Sequence, residues 1–178
     1  MQRVFIGVPV DRQTQQHINA FLEPLKRLWK DIRWEAENNR HLTLAFIGNK
    51  PTTEVENLLR SFNEIYQQET HFKYRLATLT LFPEPTSRTI ALVAEPSEAL
   101  DRLFQITRRF LQRHKVELDL KAFRPHITLG KIAKGKHLKT NVYQPAGINL
   151  NINKISLYQS TSNVSGSIYT VLKEAQLK

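Results

Sequence analysis

The chain has 178 residues, 40% apolar and 24% charged, a balance that suits a globular domain and excludes a disordered or fibrous chain. It has no cysteine, which excludes disulfides, thiolate nucleophiles and cysteine-ligated metal. Lys and Arg number 26 against 16 Asp and Glu, a formal net charge of +10. Such a surface concentrates anions, so nucleic acid, nucleotides and anionic lipid head groups are weighed against a merely basic, soluble protein. No apolar run approaches the roughly 20 residues of a membrane helix, and "MQRVFIGVPV" is too short and lacks the cleavage site for a signal peptide. A cytosolic location is expected.

Arg3 to Val10 reads as a strand, closed by Pro9 and Asp11, and Asp11 can cap a following helix. Ile18, Phe21, Leu22, Leu25, Leu28 and Trp29 then recur at helical spacing. Pro24 falls inside that pattern, which predicts a kink or break. "DIRWE" is a short strand and "HLTLAFIG" a second, closed by Gly48. Pro51 with Thr52 or Thr53 opens a helix that aligns Val55, Leu58, Leu59, Phe62, Ile65 and Tyr66. Two extended stretches, 72–82 and 88–94, flank the turn "PEPTS". Ser97 can cap a third helix carrying Leu100, Leu103, Phe104, Thr107, Phe110 and Leu111. "VELDL" and "HITLGKI" read as strands. Ile148, Leu150 and Ile152 alternate, then Ile155 and Leu157 alternate in shifted phase, which suggests a bulge. Tyr169 to Leu172 is a last strand behind a Ser165-Gly166 hairpin turn. In "KIAKGKHLKTN", Lys131, Lys134, Lys136 and Lys139 form either a solvated loop or a phosphate-facing rim.

His-x-Thr-Leu occurs twice: His41, Leu42, Thr43, Leu44 and His126, Ile127, Thr128, Leu129, with an offset of 85 between the copies. The same offset carries Phe5 onto Ile90, and the helical faces match better at 82. The order strand, helix, strand, histidine strand thus occurs in both halves, as repeat units of roughly 1–50 and 86–135 within a single bilobal domain 1–178. Its remaining strands complete the two lobes. Two lobes related by a rough two-fold axis bring the histidine strands together at their interface, a favoured place for ligand sites.

Strand alternation points His41 and Thr43 one way and the leucines the other, and likewise His126 and Thr128 against Ile127 and Leu129. Two imidazoles on one cleft suit phosphoryl chemistry near neutral pH: one takes a proton from water, the other gives one to the leaving oxygen. The threonine hydroxyls can hold non-bridging oxygens. No metal is needed, and a zinc site wants a third protein ligand that no further His or acid supplies at a telling position. His17, His71, His114 and His137 are read as structural or surface residues.

"HLTLAFIG" and "RPHITLGKI" resemble the paired His-x-Thr-x motifs of the two-histidine phosphoesterase superfamily. Within it the chain is similar to the bacterial and archaeal RNA 2',3'-cyclic phosphodiesterases, also named 2'-5' RNA ligases. The likeness extends to "RVFIGVPV", "LFPEPTSRTIALV" and "ISLYQSTSNVSGSIYTVL". It implies an α+β, bilobal, duplicated fold with two antiparallel sheets facing a central cleft, helices outside and pseudo-two-fold symmetry. It implies hydrolysis of a 2',3'-cyclic phosphate to a 2'-phosphomonoester without cofactor, with His41 as proton donor, His126 as proton acceptor, and Thr43 and Thr128 as oxyanion holders.

Five residues after each histidine stand Phe46 and Lys131, where the family often has an aromatic residue and usually an arginine. An aromatic face stacks on a base; lysine keeps the charge but loses the bidentate fork. In a regular strand both fall opposite the histidines, and Phe46 then joins the core. They reach the cleft only if the strands twist or bulge near Ala45 and Gly130. Arg124 can also meet the RNA backbone. The expected partner is RNA with a cyclic-phosphate end, or a cyclic nucleotide, with a monomer sufficient. Two alternatives stand beside hydrolysis: reversible 2'-5' ligation at the same site, and an RNA-binding module without catalysis.

Overall fold

In the computed structural model, which describes residues 1–117, 122–138, 144–163 and 166–178, the opening apolar run forms strand β1 (Gln2–Pro9), with Val4, Phe5, Ile6 and Val8 buried. Asp11 caps α1 (Arg12–Leu28), its carboxylate accepting from the Thr14 backbone N–H at 3.0 Å. The helix runs through Pro24 without a break. Pro24 sits on the exposed side, where water can solvate the carbonyl its ring leaves unpaired. There follow β2 (Ile32–Trp34), β3 (His41–Lys50) and α2 (Thr52–Ser61), which tightens into a 3-10 turn over Phe62–Ile65. The antiparallel pair β4 (Phe72–Phe82) and β5 (Thr89–Ala94) leads to α3 (Glu98–Arg113), capped by the Ser97 hydroxyl. The chain ends in β6 (His126–Ile132), β7 (Gln144–Ile152), β8 (Lys154–Asn163) and β9 (Gly166–Gln176). Among the described residues, no helix is long and apolar enough to cross a membrane.

The strands run in the order β7-β4-β5-β6-β3-β1-β8-β9, with β2 on the flank of β6. All these ladders are antiparallel. Two quartets, β7-β4-β5-β6 and β3-β1-β8-β9, meet at β3 and β6, where a single register pair, Leu42 opposite Ile127, joins them. This is the expected α+β, antiparallel architecture, with the two expected sheets joined through the β3–β6 pair into one curled nine-stranded sheet. The helices cross over. α1 follows β1 but packs chiefly on β7, where the Thr14 hydroxyl donates to the Asn149 carbonyl at 3.0 Å; α3 follows β5 but packs on β3. Ile18 and Leu22 of α1 and Leu103, Phe110 and Leu111 of α3 are buried in a core shared with Leu42, Leu44, Ile127 and Leu129.

Some expectations change. The phase slip between Ile152 and Ile155 marks the boundary between β7 and β8 at Asn153, not a bulge within one strand, because the two runs pair with different neighbours, β4 and β1. The final strand extends to Gln176, well past Leu172, because β8 pairs with it along its whole length. Of "VELDL", Val116 and Glu117 belong to no strand, and the rest lies outside the described residues, as do Lys139 and Ser165. The ladders also re-align the repeat. Ile6 faces Ala45 as Ile90 faces Gly130, and Gly7 faces Thr43 as Ala91 faces Thr128. In β1 and β5 the offset is therefore one less than between the histidines, and Phe5 corresponds to Thr89 rather than to Ile90.

The offset is one less on both sides of a pair of matching bulges, since Pro9 faces His41 as Val93 faces His126, so the extra residue lies in the chain between β5 and β6. The β1–β3 ladder slips between Ile6 and Gly7, and the β5–β6 ladder slips between Ile90 and Ala91. Opposite the slips, Leu44 and Ala45 are buried in succession, and so are Leu129 and Gly130. Gly130 leaves no room for a side chain: a Cβ there would stand 2.9 Å from Ile32 Cγ2 and 3.1 Å from the Arg33 carbonyl oxygen. Gly130→Ala is expected to cost about 1–3 kcal/mol. Urea denaturation checks this as a lower midpoint with an unchanged slope.

Candidate active site

The bridge between the halves sets the geometry of the site. With Leu42 opposite Ile127, an antiparallel register places His41 across from Thr128 and Thr43 across from His126. Leu42 and Ile127 are fully buried, while the four polar residues turn to the other face, each partly exposed. The two histidines are diagonal neighbours on that face, and so are the two threonines. Diagonal positions on a sheet lie roughly 7–8 Å apart, which leaves space for a tetrahedral anion between the rings.

Each imidazole is held in the same way. His41 Nδ1 lies 2.6 Å from the Asn39 carbonyl oxygen, and His126 Nδ1 lies 2.8 Å from that of Arg124. A carbonyl only accepts, so Nδ1 donates in both, and in the neutral ring Nε2 is left with its lone pair. The carbonyl on the His41 side is anchored in turn. Asn39 Nδ2 donates to Glu35 Oε1 and to the Ser167 carbonyl, both at 2.8 Å. The buried Arg40 donates to Gln15 Oε1 at 2.9 Å and to Asn19 Oδ1 at 2.8 Å. These bonds tie the turn before β3 to α1.

Aromatic rings back both histidines. Phe82 stacks on His126 with centroids 3.8 Å apart. Phe5 lies 4.7 Å from His41, and Tyr169 meets the same ring edge-on at 5.0 Å. The apolar enclosure disfavours the imidazolium. Burial pushes His41 down to about 4, opposed by its bond to Asn39 and assisted by the positive charge His126 would carry. Burial also lowers His126, opposed by its bond to the Arg124 carbonyl, with the Arg124 guanidinium adding to the depression. Both rings are therefore mainly neutral at pH 7 in the free protein.

The bulges settle where the flanking residues point. Phe46 is not core: it is 65% exposed and turns to the His41 face, because Leu44 and Ala45 consume one step of the alternation. Lys131 is exposed on the His126 face for the same reason. Phe46 lines a cavity of about 540 Å³ with Thr43, His126, Phe82, Phe104, Arg108, Phe123 and Arg124. His41, Thr128 and Lys131 are not part of its lining. Arg124 closes the rim: it lies 5.1 Å over the Phe82 ring, donates to the Pro83 carbonyl at 2.6 Å and pairs with Glu84 at 3.2 Å.

Sequence reasoning missed Phe5, Phe82, Phe104, Phe123, Tyr169, Asn39 and Arg40. Phe5, Phe82 and Tyr169 lie in the three flanking stretches that carry the family resemblance, the one signal that pointed to any of them. His17 and His137 are exposed, His71 bonds the Lys178 carbonyl and His114 bonds Ser61, all apart from the cleft. Among the described residues no three His, Asp or Glu side chains cluster to hold a metal.

The His41 resonance in a proton NMR titration is expected to move with a midpoint near 4 and to shift upward when inorganic phosphate is added, because an anion favours the imidazolium. In the unfolded chain the same ring takes its proton at the ordinary value of 6.5. Between the two values the unfolded state binds more protons. Stability present above pH 6.5 should therefore fall as the pH drops toward 4, which denaturation midpoints measured across that window check.

The chain matches the family model described as LigT like Phosphoesterase twice, over residues 8–91 and 90–169. It is 26% identical over 181 residues to a Thermotoga maritima protein named RNA 2',3'-cyclic phosphodiesterase, covering 99% of this chain and 96% of that one. Its fold superposes on the crystal structure of TT0787 of Thermus thermophilus with a TM-score of 0.83 at 24% identity, covering 98% of this chain and 97% of that one. It superposes on E. coli LigT complexed with 3'-AMP with a TM-score of 0.77 at 22% identity, covering 99% and 98%. With two model matches that span most of the sequence and meet near its middle, the chain belongs to the LigT-like phosphoesterase family.

Proposed function

We propose that this protein hydrolyses the 2',3'-cyclic phosphate end of RNA to a 2'-phosphomonoester, using His41 and His126 as an acid-base pair. The observation that carries this reading is the register across the β3–β6 bridge, which sets each histidine opposite the other motif's threonine on one open face. The names of the relatives and the nucleotide held by E. coli LigT support the same substrate class.

In this mechanism the cyclic phosphate sits between the rings, with its non-bridging oxygens accepting hydrogen bonds from the Thr43 and Thr128 hydroxyls. His126 Nε2 removes a proton from water. The water oxygen bonds to phosphorus, the bond from phosphorus to the 3'-oxygen breaks, and His41 Nε2 delivers a proton to that oxygen. Charge accumulates on oxygens already facing donors, so little reorganisation is needed. No step requires a metal. The base of the terminal nucleotide stacks on Phe46 within the apolar cavity. Both motifs lie on one chain, so a monomer suffices.

Replacing either histidine by alanine is expected to lower turnover of a nucleoside 2',3'-cyclic phosphate by about 100- to 10,000-fold, and a chelator is expected to leave it unchanged. Near wild-type turnover in either variant would sink the acid-base pair. One ring must be charged and the other neutral, and both titrate below the ordinary value in the free protein. The kcat/KM profile should therefore peak on the acid side of pH 6.5, with kcat peaking higher because the bound anion favours the imidazolium. Phe46→Ala should raise KM by about 5- to 100-fold, the worth of one stacked base, measured against the same cyclic nucleotide.

A further inference from the structure

The site is nearly symmetric at its centre and unlike at its ends. In the two ladders, Phe5 faces Phe46 where Thr89 faces Lys131. One end is thus aromatic. At the other, Lys131 has a second cation beside it: Arg33 of β2 is its direct partner across the β2–β6 ladder. On that ladder Ile32, Ile132 and Gly130 are buried, and a Cβ on Gly130 would meet Ile32 and Trp34. The alternate positions, Arg33 and Lys131, therefore turn to the opposite, open face, which is also that of His126 and Thr128 once the bulge at Leu129 and Gly130 is counted. Both cations are exposed.

Like charges directly opposite on a sheet destabilise it, so this pairing does nothing for folding. Among the described residues, neither Arg33 nor Lys131 takes part in an ion pair. Arg88 nearby is different, being bonded twice to the Ile132 carbonyl, at 3.0 and 2.7 Å. The Arg33 side chain instead reaches over to the β8–β9 hairpin of the facing half. Its Nη1 lies 3.9 Å from where a Cβ on Gly166 would stand. The guanidinium thus lies between Lys131 of one half and Gly166 of the other. Thr128 and Lys131 are three residues apart on a bulged strand, roughly 7–10 Å, a distance that one nucleotide bridges.

We propose that Arg33, with Lys131, forms a subsite for a second, non-reacting phosphate of the ribonucleotide chain. The inference rests on the phosphodiesterase reading of the central site. It assigns to Arg33 the two-pronged contact that lysine alone lacks, and it makes the protein prefer a polymer end over a mononucleotide. The second phosphate can come from the 5' side of the terminal nucleotide or from a strand bearing a 5'-hydroxyl.

Binding tests this without turnover. Adenosine 2'-monophosphate and adenosine 2',5'-bisphosphate are titrated into wild type, Arg33→Ala, Arg33→Lys and the distant exposed control Arg60→Ala. In a second arm, a dinucleotide with a 5'-hydroxyl is titrated into each protein saturated with the monophosphate. Wild type should favour the bisphosphate, or bind the dinucleotide, about 10-fold better than Arg33→Ala does, with Arg33→Lys between them and Arg60→Ala like wild type. The arm that responds identifies the source of the phosphate. The proposal is overturned if Arg33→Ala matches Arg60→Ala in both arms, or if it weakens the monophosphate equally. If cyclic phosphates are not opened while the Arg33-dependent preference persists, the hydrolytic reading fails and the subsite stands.

Discussion

The register pair of Leu42 and Ile127 organises the molecule. Each residue is fully buried and lies on the last strand of its own quartet. Burying these two apolar side chains against the crossed-over helices draws β3 and β6 together, and the register of that one pair decides what stands opposite what. A slip by one residue would turn His41 and Thr43 into the core. The chemistry on one face is thus held by hydrophobic burial on the other.

The crossed helices add a second constraint. α1 is fastened to β7 through Asp11 and Thr14, and to the turn before His41 through Gln15, Asn19 and Arg40. One helix thereby couples the packing of the β7 half to the orientation of an imidazole in the other half. The carbonyls that fix the two Nδ1 atoms come from residues two places upstream of each histidine. Their equivalence shows that the duplication preserves backbone geometry as well as side-chain identity. The flanks have diverged: Phe5 and Phe46 hold places that Thr89 and Lys131 hold in the other half. A symmetric pair of His-x-Thr faces with unlike ends makes the two directions along that face chemically distinct.

Electrostatics follows from the same packing. The rings that position the histidines also strip them of water, so both imidazoles are mainly neutral at pH 7. The net charge of +10 attracts that anion from a distance, while the local site remains nearly neutral. In the proposed mechanism attraction and protonation are thereby separated in space, an imidazolium being favoured only where a phosphate is bound.

By itself the sequence determined the three helices, most of the strands, both caps, the paired His-x-Thr faces and the family, but not the division of β7 from β8. These rest on periodicity, local hydrogen bonding and motif spacing, which are local properties. It left Phe46 and Lys131 open, since their direction depends on bulges, and bulges arise from mismatch with the neighbouring strands β1 and β5. It placed Phe5 against Ile90 where the ladders place it against Thr89, because the chain from β5 to β6 is one residue longer than that from β1 to β3. Pro24 predicts a kink or a break, but α1 continues through it, with Pro24 on the face that meets water. The partnering of Asn39, Arg40, Phe82 and Arg33 belongs to tertiary structure alone. Each acts on a residue brought near by strand pairing or by packing between elements, and no spacing along the chain encodes a contact that only the folded ladders create.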